Sequence, residues 1–365
     1  MAASISLASV NRLLVISLAG IGDTLMATPF LHELRLAYPE AEIEALVMWP
    51  GARGLLEHNP HLNALHQHSF LKASKFASLR FIWSLRRRRF DASFNVHPQG
   101  RREYRLVAAG IGARRRFSHR YENHRPFDDR LVTDSLPQDY TVHASENNRR
   151  FLDLLGVPSQ MPRPAYELYL TAAESIWSTQ WLNRTHLVGE RWLGVHVGSG
   201  GTKNLALRRW PLERYIELVR ELELRRPEVP VVFFGGPEEA EAHGELFQNL
   251  RGGRIHFAEA PSLRHAAALL GHAHAFLSVD TLFMHLAAAM AVPHQFVLET
   301  PTLNPCILPL RADWILIPNP AVGGRPLDYY RYDGRPIAGS PAEIRKLMES
   351  VSVAEVLGRV EAAFK

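Results

Sequence analysis

Short unbroken apolar runs alternate along this chain with longer segments whose apolar residues recur three or four positions apart. Runs of the first kind suit strands buried on both faces, and segments of the second kind suit amphipathic helices. Strands are predicted over 13–18, 43–48 and 90–96 in the first half, and over 192–197, 229–234 and 275–279 in the second. A helix follows Thr28-Pro29 over 31–38, where Pro39 stops it, and another over 148–155 ends at Gly156-Val157-Pro158. Trp210-Pro211 opens a helix through 224, a further one begins at Glu238, and Ser262 caps one through 270. Residues 126–137 are polar and irregular and predict a loop. Residues 158–170 are proline-rich without period, so the domain boundary is placed there. Strand–helix alternation on both sides of it predicts two doubly wound α/β domains facing each other.

Length supports two domains, since 365 residues is long for a single core. The lone cysteine, Cys306, leaves no intrachain disulfide and no cysteine-based metal or iron–sulfur site, which suits a reducing compartment. No basic segment followed by an apolar one marks a signal peptide, and no window approaches the roughly 18 apolar residues of a membrane span. Charge is uneven. Residues 1–150 hold 21 lysines and arginines against 14 acids, and the remainder 21 against 23. The cations cluster at Arg86-Arg87-Arg88-Arg89, at Arg101-Arg102 with Arg105, and at Arg114-Arg115-Arg116. Only five of the 42 cations are lysine, and arginine forks match phosphate geometry. No zinc-finger, helix-turn-helix or RNP-like pattern accompanies them, so nucleic acid is not the expected partner.

Two loops, each at a strand-to-helix handover, concentrate the candidate chemistry. The first is Ala19-Gly20-Ile21-Gly22-Asp23-Thr24, and the second is Asp280-Thr281-Leu282-Phe283-Met284-His285. In open α/β sheets ligands sit at the carboxyl ends of strands, where helix N-termini hold anions. Gly20 and Gly22 allow a tight turn, but a dinucleotide fingerprint would want a third glycine where Leu25 stands. Glu40, Glu42 or Glu44 could still serve a dehydrogenase as the ribose-binding acid. Asp23 and Asp280 each also suit plain helix N-capping.

Four segments together resemble the bacterial heptosyltransferases that build the lipopolysaccharide inner core, glycosyltransferase family 9. They are Gly20-Ile21-Gly22-Asp23 with Thr28-Pro29; Arg208-Arg209-Trp210-Pro211; Gly235-Gly236-Pro237-Glu238-Glu239; and Ser278-Val279-Asp280-Thr281 with His285-Leu286-Ala287-Ala288-Ala289. The resemblance implies a GT-B-type α/β fold, two Rossmann-like doubly wound domains facing across a cleft. It divides the chain into an acceptor domain over 1–165 and a nucleotide-sugar domain over 166–340. Residues 341–365 then form a C-terminal helix able to pack back on the first domain.

By the same resemblance Asp23 is the general base that takes the acceptor hydroxyl proton, and Arg208 neutralises the leaving diphosphate. Arg208 stands where the family usually has lysine, and Arg209 or Lys203 can share its role. Asp280 accepts sugar hydroxyls, while the backbone N–H groups of Thr281 and Leu282 face the diphosphate. Leu282 departs from the family's usual glycine. Ser199 reaches phosphate, Glu238 the ribose, and His285 belongs to the donor side, there as a helix residue bonded to a neighbour. Gly22, Arg86, Arg87, Arg101 and Arg102 form the acceptor side, with the cluster at 86–89 facing acceptor phosphates or an anionic membrane surface.

The expected activity is therefore inverting transfer of a heptose or related sugar from a nucleotide diphosphate, ADP-heptose foremost, to a lipopolysaccharide inner-core hydroxyl. It needs no metal and no cofactor. Partners are the donor, a phosphorylated glycolipid and the inner leaflet, and the expected location is cytoplasmic, at the inner face of the inner membrane. The alternatives are a nucleotide-sugar epimerase of similar fold and a non-catalytic carbohydrate- or phosphate-binding protein.

Overall fold

Leu13, Leu14, Val15 and Ile16 are all buried, which a strand achieves only in a sheet covered on both faces. A computed structural model of the chain describes residues 10–98, 100–199, 205–250, 252–323 and 340–365. Six parallel strands make the first sheet: β1 (Arg12–Ser17), β2 (Glu42–Val47), β3 (Ala64–Gln67), β4 (Ala92–Asn95), β5 (Arg115–Arg120) and β6 (Asp134–Pro137). They run in the order β3-β2-β1-β4-β5-β6. The second sheet is built from β7 (Leu193–His196), β8 (Val231–Phe234), β9 (Ile255–Phe257), β10 (Ala275–Ser278), β11 (His294–Leu298) and β12 (Ile315–Ile317). Its strands are also parallel, and their order, β12-β11-β10-β7-β8-β9, repeats the first with the same reversal of winding about the middle. Each sheet is thus doubly wound in the Rossmann order, with its switch point at β1/β4 in one and β7/β10 in the other.

The chain changes over from one unit to the other between Tyr169 and Leu170. Within the first unit, Leu13, Val15, Phe30, Phe94, Phe117 and Phe151 fill one side of the sheet, and Leu14, Ile16, Leu46 and Phe90 the other. In the second unit Trp210, Tyr215, Leu218, Phe233, Leu277 and Phe296 share a core.

Several elements depart from the sequence expectation. The helix after Pro29 begins earlier, as Thr28–Ala37, and a short helix Ile21–Met26 precedes it inside the first loop. The segment 126–137 is not all loop. It holds a 3₁₀ turn, Pro126–Arg130, and the edge strand β6, whose Pro137 is tolerated because β6 has a neighbour on one side only. The C-terminal segment forms two helices, Pro341–Glu349 and Val353–Ala363, and both contribute to the second unit's own core. Met348, Val351, Val356, Leu357 and Val360 recur at helical spacing and pack on its sheet, so apolar burial draws this segment there.

Candidate active site

At the carboxyl edge of the second sheet, the loops after β7, β8, β10 and β11 bring charged side chains together in a buried cluster. Arg208 ends a 3₁₀ turn, Leu205–Arg208, and Trp210 two residues on is sunk in the core. Its Nε1 donates to the Val351 carbonyl at 3.0 Å, and its ring meets Tyr215 edge-on at 4.8 Å. With this anchor fixed, Arg208 turns inward. Its Nη1 donates to Asp280 Oδ2 at 2.6 Å and to Thr302 Oγ1 at 3.2 Å. Its Nε is buried with no partner among the described residues. Burial pushes the Asp280 carboxyl upward, and the Arg208 charge opposes that shift. The two residues to which sequence reading gave separate ligands are therefore joined as one buried ion pair.

Arg209 turns to Ser199, with Nε donating to its Oγ at 3.2 Å and Nη2 to its carbonyl at 2.7 Å. Nη2 also lies 3.9 Å from Glu239 Oε1. Glu239 is the buried acid of the Gly-Gly-Pro loop, whereas Glu238 is exposed. The Glu239 carboxylate accepts the Gly236 N–H at 2.9 Å and lies 3.9 Å from His196 Nε2. Burial raises the Glu239 pKa, but His196, that N–H and Arg209 outweigh it and hold the carboxyl below its ordinary value. His196, burial acting first, is held below its own ordinary value. Its Nδ1 meets Thr281 Oγ1 at 3.3 Å, and its ring stacks on Phe283 at 4.4 Å. A Cβ at Gly198 would stand 2.1 Å from Glu239 Oε1, so only glycine fits there.

Thr281, not Asp280, caps the helix Leu282–Ala289, accepting the Met284 N–H at 3.4 Å. Capping by Thr281 leaves Asp280 one residue outside the helix, free of the capping role and committed to Arg208. Leu282 is the half-buried first residue of that helix, and His285 is buried on its next turn. Lys203 lies outside the described residues. His196, Glu239 and Thr302 were not picked out from sequence. His196 had no signal beyond ending a strand, and Glu239 was adjacent to the acid that was chosen.

In the first unit the loop after β1 folds around Asp23. Gly20, not Asp23, is the N-cap, and Asp23 at the third helical position accepts the Gly20 N–H at 2.6 Å. A Cβ on Gly20 would sit 2.9 Å from that carboxylate, so this glycine supplies room rather than unusual dihedrals. Gly22 is the residue before Asp23 in the same helix, and Ser17 Oγ meets Thr24 Oγ1 at 3.2 Å beneath it. Arg101 lies in the loop after β4, whose last residue Asn95 is paired with Ile16 of β1, so it stands at the same carboxyl edge of the sheet as Asp23. Arg102 donates to buried Asp128 at 3.0 Å. Asn95 ends β4 beside β1, its buried amide with no partner among the described residues, and sequence gave no hint of it.

Arg86 and Arg87 do not join this group. With Arg12, Arg88, Arg89, Arg114 and Asp91, Arg87 walls an open cavity at the amino ends of β1, β4 and β5. A six-residue strand, roughly 20 Å, separates that edge from the loop after β1. Arg86 donates to the Gly110 carbonyl at 3.1 Å. One ligand phosphate cannot reach both edges, so the four arginines expected together on the acceptor fall into two groups.

Residues 79–294 match the model of glycosyltransferase family 9, the heptosyltransferases. The chain belongs to this family. It is a glycosyltransferase. Lipopolysaccharide heptosyltransferase 3 of Escherichia coli is 24% identical over 286 residues, covering 74% of this chain and 78% of that protein. A family 9 glycosyl transferase of Veillonella parvula superposes with a TM-score of 0.76 at 19% identity, over 97% of both chains. Escherichia coli ADP-heptose lps heptosyltransferase II does so at 0.70 and 21%, over 96% of this chain and 98% of the other. Two Rossmann-like units of GT-B type are thus the fold of the family and of this glycosyltransferase.

Proposed function

We propose that the protein transfers a heptose from ADP-heptose to a hydroxyl of a lipopolysaccharide inner-core acceptor, with inversion and with Asp23 as general base. The observation that carries the reading is the pairing of Arg208 with Asp280, in a chain of this family. Asp280 fixes the guanidinium, and the unpartnered Nε leaves a buried donor for a diphosphate oxygen. Arg209, tied to Ser199 and Glu239, adds a second cation, so the reading asks no metal to neutralise the leaving group. The names of the similar proteins supply ADP-heptose and lipopolysaccharide.

In the proposed step the acceptor oxygen forms a bond to the anomeric carbon from the face opposite the diphosphate. The carbon–oxygen bond to the diphosphate breaks, ADP departs with that electron pair, and the hydroxyl proton passes to the Asp23 carboxylate. The Gly20 N–H holds that carboxylate in one orientation. A phosphorylated glycolipid acceptor also brings the enzyme to the inner leaflet of the membrane that carries it.

Calorimetric titration with ADP, UDP and GDP tests the reading. ADP is expected to bind in the micromolar range and the others at least about tenfold more weakly, with Arg208→Ala losing on the order of 2 kcal/mol for ADP. A preference for UDP would end the ADP-heptose assignment. Unchanged ADP affinity in Arg208→Ala would remove that residue from the diphosphate.

A further inference from the structure

The helix Lys75–Arg86 carries an apolar stripe that its own unit does not cover. Phe76, Leu79 and Trp83 share one face by their three- and four-residue spacing, and they are 75%, 65% and 59% exposed. Leu71, in the turn before the helix, is 68% exposed. The opposite face is already docked: Phe81 stacks on His68 at 4.5 Å, Ile82 lies against Gly110, and Leu85 is buried. Folding of this unit therefore leaves the stripe unused.

Cations border the stripe. Lys72, Lys75, Arg80, Arg86 and Arg87 are exposed around it, and Arg87 lies over the Trp83 ring at 5.1 Å. Residues 58–90 contain seven lysines and arginines and no acid. The cavity lined by Arg12, Arg87, Arg88, Arg89 and Arg114, with Glu42 and Asp91 among them, continues the same surface past the helix end with cations in excess. A protein-binding core depletes charge around its anchors. Aromatic and aliphatic anchors bordered mainly by cations complement a surface that is apolar beneath and anionic above. Among the described residues no helix is long and apolar enough to cross a membrane, so attachment through this helix would lie in the interface plane.

We infer that this face docks the protein on an anionic phospholipid bilayer, with Phe76, Leu79 and Trp83 entering the headgroup–acyl boundary and the bordering cations meeting lipid phosphates. The inference deepens the proposed transfer to a glycolipid by naming the surface that meets the membrane. The stripe itself is read from the helix alone.

Co-sedimentation of the full chain with vesicles tests it, using phosphatidylethanolamine–phosphatidylglycerol against pure phosphatidylcholine. Binding is expected to the anionic vesicles and to weaken at high salt. The combined variant Phe76→Ser, Leu79→Ser, Trp83→Ser should lose about tenfold or more in partitioning, because apolar insertion and charge are both needed for stable attachment. Its thermal unfolding should be unchanged, since the side chains are exposed. Arg80→Gln with Arg86→Gln and Arg87→Gln should abolish the preference for anionic lipid. Failure of the wild type to bind anionic vesicles, or wild-type partitioning by the stripe variant, would overturn the inference. So would a dimer that the stripe variant breaks while vesicles go unbound, which would assign the stripe to a second copy. ADP titration of the same samples separates the two readings. Intact ADP binding without vesicle binding defeats the docking alone, and vesicle binding without ADP binding defeats the ADP-heptose assignment alone.

Discussion

Glu238 and Glu239 are adjacent in the chain, yet one faces solvent and the other sits under Gly198 within reach of His196 and Arg209. Glu239→Gln should therefore weaken ADP binding by about tenfold, roughly the worth of one charge-assisted bond, by releasing Arg209 from its place beside Ser199. Glu238→Gln should stay within about twofold, as exposed substitutions usually do. Titration calorimetry on the two variants decides, and a larger effect at Glu238 would support it as the ribose contact. The reason sequence does not single out the buried acid is local. Counting from Gly235-Gly236-Pro237 finds the loop and its acidic pair, but a 3₁₀ turn, Pro237–Glu239, brings the second carboxylate back to the Gly236 N–H. The same one-residue ambiguity moved the helix cap from Asp280 to Thr281. Residue type and neighbourhood were legible at these points, and the inward-facing residue was not, because turn geometry decides it.

At the scale of elements, a helix pair in the second unit shows how much depends on one contact. Thr171 and Glu174 form a capping box at the start of the helix Ala172–Arg184. The same Glu174 takes two bonds from Arg264 of the helix Leu263–Leu270, at 2.5 and 2.8 Å, with both side chains buried. Burial raises the Glu174 pKa, but Arg264 and Thr171 outweigh it and bring it down to about 2. A carboxylate depressed on folding stabilises fully above its unfolded pKa near 4.5 and loses that contribution as pH falls toward 2. The contribution is on the order of 2–3 kcal/mol. Glu174→Gln should destabilise by about 3 kcal/mol near neutral pH, because it strands a buried guanidinium. The gap from wild type in urea unfolding should close between pH 4.5 and 2. A constant gap across that range would mean the pair does not set the stability. Sequence gave the Ser262 cap of one partner helix but not this bridge, since 90 residues separate its ends. Central strands such as β1 were legible from their apolar runs. The edge strand β6, Asp-Ser-Leu-Pro in sequence, carries no such run, because an edge needs neither burial on both faces nor a full ladder.

The molecule as a whole is two units, each with its own apolar core, and the proposed roles divide between them. Arg208, Arg209, Glu239 and Asp280 belong to the second unit and Asp23 to the first. A ligand stabilises only the body that binds it, by about 2.7 kcal/mol at a hundred times its Kd. For a unit of this size that raises the midpoint by roughly 5–10 °C. Scanning calorimetry with ADP should therefore raise the transition of the second unit and leave that of the first in place. Glu174→Gln, which lies in the second unit, should lower the ADP-responsive transition and so identify it. Asp23→Ala should keep the full ADP shift while losing transfer to the acceptor, since its carboxylate is assigned to the proton and not to the nucleotide. An ADP shift confined to the transition that Glu174→Gln does not touch would place the nucleotide on the first unit and reverse the division of roles. A single transition that both ADP and Glu174→Gln move would show the units unfolding as one body. In that case loss of the ADP shift in Arg208→Ala, with its retention in Asp23→Ala, would still assign the donor to the second unit.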